Sequence, residues 1–337
     1  MEYDSSVWMV PPGIHRIEGF WAMRASRWNG FRWMSMRRLS ISLLVLVLCI
    51  LPTSCRPSPG KISDGVNPKA TATRSTEPIL PTVTAAGPQA NPTAQGECQE
   101  KAGEVRSLTY PGAVFHEDVR LTVYLPPCYS SSNERYPSLY LLHGYPQDEQ
   151  HWEMLGVIDL VEEGILTDKW PPTLLVLPNQ PEPLFTKTDG GPGSYEQEMI
   201  EGLVPFIDET FRTLAEPQSR AIAGVSRGGV WALEIGLRNP DVFNTIAALS
   251  PSLHVNHPRG PYDPFKIAGG DNPLPEMIFI SGGAGEPLFL TKIELFAQHL
   301  TEEGIKRTFL FTDGNHTDES WKGILPEVIQ FVMKSWS

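Results

Sequence analysis

A serine flanked by glycines, Gly224-Val225-Ser226-Arg227-Gly228, is the stretch of this chain best suited to covalent chemistry. A serine hydroxyl becomes a nucleophile when a base takes its proton, and the base needs an orienting acid. The G-x-S-x-G spacing matters because glycines permit a cramped strand-to-helix turn that holds the serine side chain clear of the backbone. In a chain with 29 glycines the pattern alone carries little weight, so its surroundings decide. Residues 220–223 form a short apolar run before it, and 230–237 read as a helix that stops at Asn239-Pro240. The start of that helix offers free N–H groups and a positive dipole end to a developing oxyanion. The backbone N–H of Arg227 is therefore one expected oxyanion donor.

Four histidines follow the serine: His254, His257, His299 and His316. His299 falls in an amphipathic helical pattern, and His254 and His257 follow the next strand too closely. His316 sits in Asp313-Gly314-Asn315-His316-Thr317-Asp318, a polar loop between the last strand and the last helix. A loop at the C-terminal edge of a parallel sheet can bring a base to the turn, so His316 is the candidate base. Glu286 is the single acid in Gly282-Gly283-Ala284-Gly285-Glu286-Pro287, the loop after the strand at 277–281. It is the candidate acid. Asp271 precedes that strand, while Asp313 and Asp318 share the histidine's loop and are alternatively caps for the last helix. An apolar strand also runs into His143-Gly144-Tyr145, which makes the Tyr145 N–H the second expected oxyanion donor; taken alone, His-Gly is an ordinary turn.

The elements that must position these groups alternate. Strands are predicted over 105–110, 113–116, 119–125, 138–142, 173–177, 220–223, 245–249, 277–281 and 308–311. Helices are predicted over 152–163, 195–211, 230–237, 288–302 and 319–334. Several strands are continuous apolar runs, as parallel strands covered on both faces require. The pattern implies an α/β fold with a mostly parallel sheet and little or no lid domain. The loops 145–152, 180–195 and 252–271 would shape a pocket, and the middle one, with Asp189-Gly190-Gly191-Pro192-Gly193, reads as long and mobile. Trp152 and Tyr195 are candidate stacking platforms for a sugar or phenolic acyl group, although aromatic residues more often pack. No His/Cys/carboxylate group has metal-ligand spacing, so neither metal nor cofactor is expected.

The net charge of −12, together with six Arg and three acidic residues in 1–54, leaves the rest of the chain still more acidic. That excludes the clustered cations nucleic-acid binding needs. Arg37-Arg38 precedes an almost wholly apolar run at 39–51, the length of a signal-peptide core rather than a membrane span. It ends in Leu51-Pro52-Thr53-Ser54-Cys55, which resembles a bacterial lipobox with Cys55 as the lipid-bearing residue; a plain cleaved signal or a signal anchor is the alternative. The expected organisation is an export segment over 1–55 (translation starting at Met34 or Met36), a Pro/Thr/Ala-rich tether over 56–97, and a catalytic domain over 98–337. The protein is thus expected outside the cytoplasmic membrane, held there by lipid. Cys98 and Cys128 remain in the domain, and export suggests that they form a disulfide rather than remain as buried thiols.

Taken together, these stretches resemble the esterase D-like branch of the α/β-hydrolases. The matching segments are Val123-Tyr124-Leu125-Pro126-Pro127, Leu141-Leu142-His143-Gly144 with Trp152, and Leu203-Val204-Pro205-Phe206-Ile207. They continue with 220–229 around Ser226, Leu249-Ser250-Pro251, and Gly314-Asn315-His316 with Trp321. The resemblance implies an α/β-hydrolase fold, Ser226 as nucleophile and His316 as base. Three positions depart from the family pattern. Arg227 stands where Met is common; it is read as pointing outward, the alternative being a cation beside the acyl site that favours anionic or polar substrates. Glu286 replaces the usual Asp, and Asn315 replaces a second Gly. The expected activity is hydrolysis of carboxylic esters, with acyl groups on carbohydrate or other extracellular molecules as substrates. Acyl transfer to a sugar or lipid acceptor, and glycan binding without catalysis, are the competing functions.

Overall fold

The computed structural model describes residues 14–15 and 99–336 of the chain. Cys55, Cys98, Met34, Met36, the export segment apart from Ile14–His15, and the tether expected over 56–97 lie outside the described residues. Among those described, the strands are β1 (Ile14–His15), β2 (Glu104–Pro111), β3 (Asp118–Leu125), β4 (Ser138–Leu142), β5 (Leu174–Pro178), β6 (Arg220–Val225), β7 (Thr245–Leu249), β8 (Met277–Gly283) and β9 (Arg307–Thr312). They form one sheet in the order β1-β9-β8-β7-β6-β4-β5-β3-β2. The ladder from β9 to β5 is parallel throughout, while β2, β3 and β1 pair antiparallel at the two edges.

Alternation along the central strands divides two cores, because successive side chains in a strand point to opposite faces. Tyr140, Leu142 and Ile222 pack with Trp231 and Phe243 on one face. Leu139, Leu141, Ala221 and Ala223 pack with Trp152, Trp321 and Ile329 on the other. The first face is covered by α4 (Val204–Thr210), α5 (Arg227–Arg238) and α7 (Pro287–Glu302), the second by α2 (Val157–Leu166) and α8 (Asp318–Met333).

Four local expectations are corrected. The strand expected at 113–116 is a turn: the buried Glu198 carboxylate accepts the N–H groups of Ala113, Val114 and Phe115 at 3.1, 2.7 and 3.0 Å, so those amides are lost to any ladder. The helix expected over 152–163 is two, α1 (His151–Met154) and α2, broken at Gly156, whose φ of +86° a right-handed helix excludes. The helix expected over 195–211 passes from α3 (Tyr195–Gln197) through a π-helical turn (Glu198–Leu203) into α4. The loop 252–271 carries α6 (Pro264–Ala268), capped by the Asp263 carboxylate. Cys128 is disulfide-bonded.

Candidate active site

Ser226 sits between β6 and α5 with φ +54° and ψ −116°, a conformation that costs a non-glycine residue energy and turns its side chain outward from the sheet edge. The flanking glycines explain how the chain tolerates it. A methyl group on Gly224 would collide with the backbone of Gly228, and one on Gly228 with the carbonyls of Leu142 and His143. The close approach that only glycine allows packs the end of β4 against the serine turn.

Four neighbouring parallel strands each deliver one part of the site from their C-terminal ends. β6 carries Ser226, β7 runs into Ser250 and Ser252, β8 leads to Glu286, and β9 leads to His316. Ser226 Oγ–H donates to His316 Nε2 at 2.8 Å, and His316 Nδ1–H donates to Glu286 Oε2 at 2.6 Å. The glutamate is buried, while the imidazole keeps a side-chain exposure of 23%. The other glutamate oxygen, Oε1, accepts from Ser250 Oγ at 2.6 Å and from Gly283 N–H at 2.8 Å. A buried carboxylate is thus fully engaged, as burial of charge requires. Phe289 stacks on the His316 ring at 3.8 Å and Trp321 meets it edge-on at 4.9 Å, fixing its plane. Asp313 and Asp318 do not take the acid position; Asp318 bonds His151 instead.

The segments that carry the two expected oxyanion donors both reach Ser226. The Arg227 N–H opens α5 and has no acceptor within that helix. Gly144 approaches so closely that a methyl on it would stand 3.4 Å from Ser226 Cβ, which brings the Gly144–Tyr145 segment to the same corner. His143 anchors this segment from beneath. Its Nδ1–H donates to Gly144 O at 2.9 Å and its Nε2 accepts the Gln180 N–H at 3.0 Å. Accepting at Nε2 while donating from Nδ1 needs a neutral ring, and burial pulls the His143 pKa down to about 4.

Two proposed platforms are corrected. Trp152 is 1% exposed and donates Nε1–H to Leu142 O at 2.9 Å, so its indole is core packing that ties α1 to β4. Tyr195 is fully buried against the Trp231 ring at 5.7 Å. Neither can offer a face to a sugar. Tyr145, by contrast, is 61% exposed.

The outward reading of Arg227 is also corrected. Its Nε–H donates to Phe185 O at 3.0 Å and its Nη1–H to Asn256 Oδ1 at 2.6 Å, with the guanidinium 5.2 Å over the Trp231 ring. Asn256 passes the chain on to the buried Glu234 at 2.8 Å. Burial lowers the Arg227 pKa and raises that of Glu234 to about 8. In the segment 180–195, Asp189 accepts from the exposed Arg259 at 2.5 Å, and just beyond it the buried Glu196 accepts from Arg238 at 2.9 Å.

Sequence reasoning gave no role to Ser252, whose Oγ lies 3.0 Å from Ser226 Oγ. With the Ser226 proton given to His316, Ser252 donates to the nucleophilic oxygen. The signal was available in Ser250-Pro251-Ser252, placed directly after β7, the strand next to the serine turn.

Comparison with known proteins bears on the family and the fold. A family model described as "Putative esterase" matches residues 112–328. A protein of Xylanibacter ruminicola named endo-1,4-beta-xylanase/feruloyl esterase is 29% identical over 69% of this chain, and the match spans 32% of that protein. Esterase Rv1288 of Mycobacterium tuberculosis is 36% identical over 34% of the chain and 25% of its own length. The chain therefore spans about a third or less of these relatives. Among solved structures, a ferulic acid esterase superposes with a TM-score of 0.62 at 25% identity, covering 69% of this chain and 99% of that one. A ferulic acid esterase of Anaeromyces mucronatus, solved with ferulic acid, gives 0.55 at 19% identity, covering 73% of this chain and 97% of that one, a likeness of fold. The parallel sheet, the strained serine turn at its edge and the match over most of the folded part lead to one conclusion: the chain belongs to this esterase family and has the α/β-hydrolase fold.

Proposed function

We propose that the chain is a serine carboxylic-ester hydrolase working through an acyl-enzyme. The observation that carries this is the unbroken relay Ser226–His316–Glu286, with each bond at 2.8 Å or shorter. Ser226 Oγ attacks the ester carbonyl carbon while its proton passes to His316 Nε2. The tetrahedral oxyanion faces the N–H groups of Arg227 and Tyr145. Collapse breaks the C–O bond, and His316 returns the proton to the leaving alcohol. A water then gives its proton to His316 and attacks the acyl carbon, releasing the acid and restoring Ser226. Glu286 remains ionised throughout and stabilises the imidazolium.

Acyl esters of carbohydrate are the proposed substrates. The names of the Xylanibacter relative and of the ferulic acid esterase structure support this, as does the exposed ring of Tyr145 beside the serine turn. Export with a lipid anchor at Cys55 is the proposed setting, resting on the apolar run at 39–51 and the motif that ends it. Replacing Ser226 by Ala is expected to lower kcat on a nitrophenyl acetate by about 10³-fold or more; unchanged turnover would remove the assignment. A panel of feruloylated arabinose, acetylated xylan and nitrophenyl esters then ranks acyl groups, and added acceptor sugars separate hydrolysis from transfer.

A further inference from the structure

We infer that His151 is a positioning residue of the oxyanion corner. It ties the Gly144–Tyr145 segment to the loop that carries His316. The inference rests on the ester-hydrolase reading above. His151 opens α1 and its side chain is wholly buried. Its Nδ1 accepts the Gly144 N–H at 3.3 Å and its Nε2–H donates to Asp318 Oδ1 at 2.9 Å. Asp318 begins α8, two residues beyond His316. One buried ring therefore spans the two chain segments that must stay in register with Ser226, and each of its nitrogens has a partner.

The bond at Gly144 governs more than one amide. Gly144 O is already held, by His143 Nδ1–H at 2.9 Å and by the Gln147 N–H at 2.9 Å. The Tyr145 N–H shares a rigid peptide plane with that carbonyl and points the opposite way. A glycine has the freest backbone of any residue, so Gly144 sets the aim of that donor only if both of its sides are fixed. His143 holds one side and His151 the other. The ring must be neutral with its proton on Nε2, because a second N–H on Nδ1 would face the Gly144 N–H donor to donor. Trp321 completes the bridge. Its indole meets His151 edge-on at 5.9 Å and His316 edge-on at 4.9 Å, filling the space between the two imidazoles.

The test compares His151→Phe, His151→Asn and Asp318→Ala with wild type on a nitrophenyl acetate. The ring of His151→Phe keeps the shape and loses both bonds. Its kcat is expected to fall about 10- to 100-fold, less than the loss of a whole oxyanion donor, with KM within about twofold, because the donor acts on the transition state. The Asn side chain keeps an oxygen near the Nδ1 position and should recover several-fold of the loss. Asp318→Ala should lower kcat in the same direction, and the double variant should be no worse than His151→Phe, since both cut one bridge. A kcat for His151→Phe equal to wild type, or a defect confined to KM, overturns the inference while leaving the hydrolase reading intact. Wild type that neither turns over ester nor reacts at Ser226 with a fluorophosphonate overturns that reading, and this inference with it. If His151→Phe fails to fold, as judged by its thermal melt, His151→Asn and Asp318→Ala decide by the same kcat criterion.

Discussion

Glu286 has a longer arm than the aspartate common at its position, and its surroundings account for the difference. Gly283 N–H and Ser250 Oγ hold one carboxylate oxygen so that the other faces His316. Ser250 itself sits at φ +43°, a strained position between β7 and the serine pair, and its hydroxyl is spent on the glutamate. Glu286→Gln should lower kcat by about 10²- to 10⁴-fold, because the amide can present the wrong partner to Nδ1 and leaves the imidazolium uncompensated. Ser250→Ala should cost about 1–3 kcal/mol in urea unfolding, the expense of a buried carboxylate that has lost one donor, and should also reduce kcat. If kcat falls while stability is unchanged, the serine acts on the reaction alone.

At the scale of elements, the loops around the serine turn are tied by side chains from distant parts of the chain. Arg227 reaches Phe185 O and Asn256, 42 and 29 residues away in sequence. This is why its inward course was not legible: the partners are chosen by the fold, and a lone arginine in a helix start reads as solvated. Trp152 and Tyr195 misled for a related reason. An aromatic side chain is equally at home in a core and at a binding face, and only the packing of α1 against β4, and of α3 against α5, separates the two. The triad was legible because its signals are local: a strained turn that needs glycines, then an acid and a histidine on loops that follow strands. The break between α1 and α2 was not, since an apolar helical pattern runs across it. Gly156, at φ +86°, is its physical cause. A methyl there would meet only Lys322 Cε, at 4.0 Å, so crowding is absent and the cost is conformational. Gly156→Ala should destabilise the protein by about 1–2 kcal/mol, measured by urea midpoint; an unchanged midpoint would show that the helix break tolerates a side chain.

For the whole molecule, two buried ionisable groups set opposing pH dependences. His143 titrates at about 4 when folded against an ordinary 6.5, so it contributes stability that is present above pH 6.5 and lost as pH falls toward 4. Glu234 titrates at about 8 against an ordinary 4.5, so its contribution is full below pH 4.5 and is lost as pH rises through 8. The two slopes offset each other between 4.5 and 6.5, and Glu234 acts alone above that. Glu234→Gln removes the alkaline fall. The stability of this variant relative to wild type should rise between about pH 6 and about pH 9, read from urea unfolding at each pH. A difference constant across that range would acquit Glu234.

The register of the sheet also bears on recovery from denaturation. Ser226, Ser250, Glu286 and His316 come from the ends of β6, β7, β8 and β9, paired with Leu249 opposite Ser281 and Gly283 opposite Thr312. Slipping any one strand by a residue would carry its group about 3.3 Å along the sheet, far beyond what a hydrogen bond tolerates. A refolded chain with full helix and strand content but one misaligned ladder would give a normal far-ultraviolet spectrum and no turnover. Recovered ester turnover after dilution from urea is therefore expected only in molecules in which all four strands have found their correct alignment.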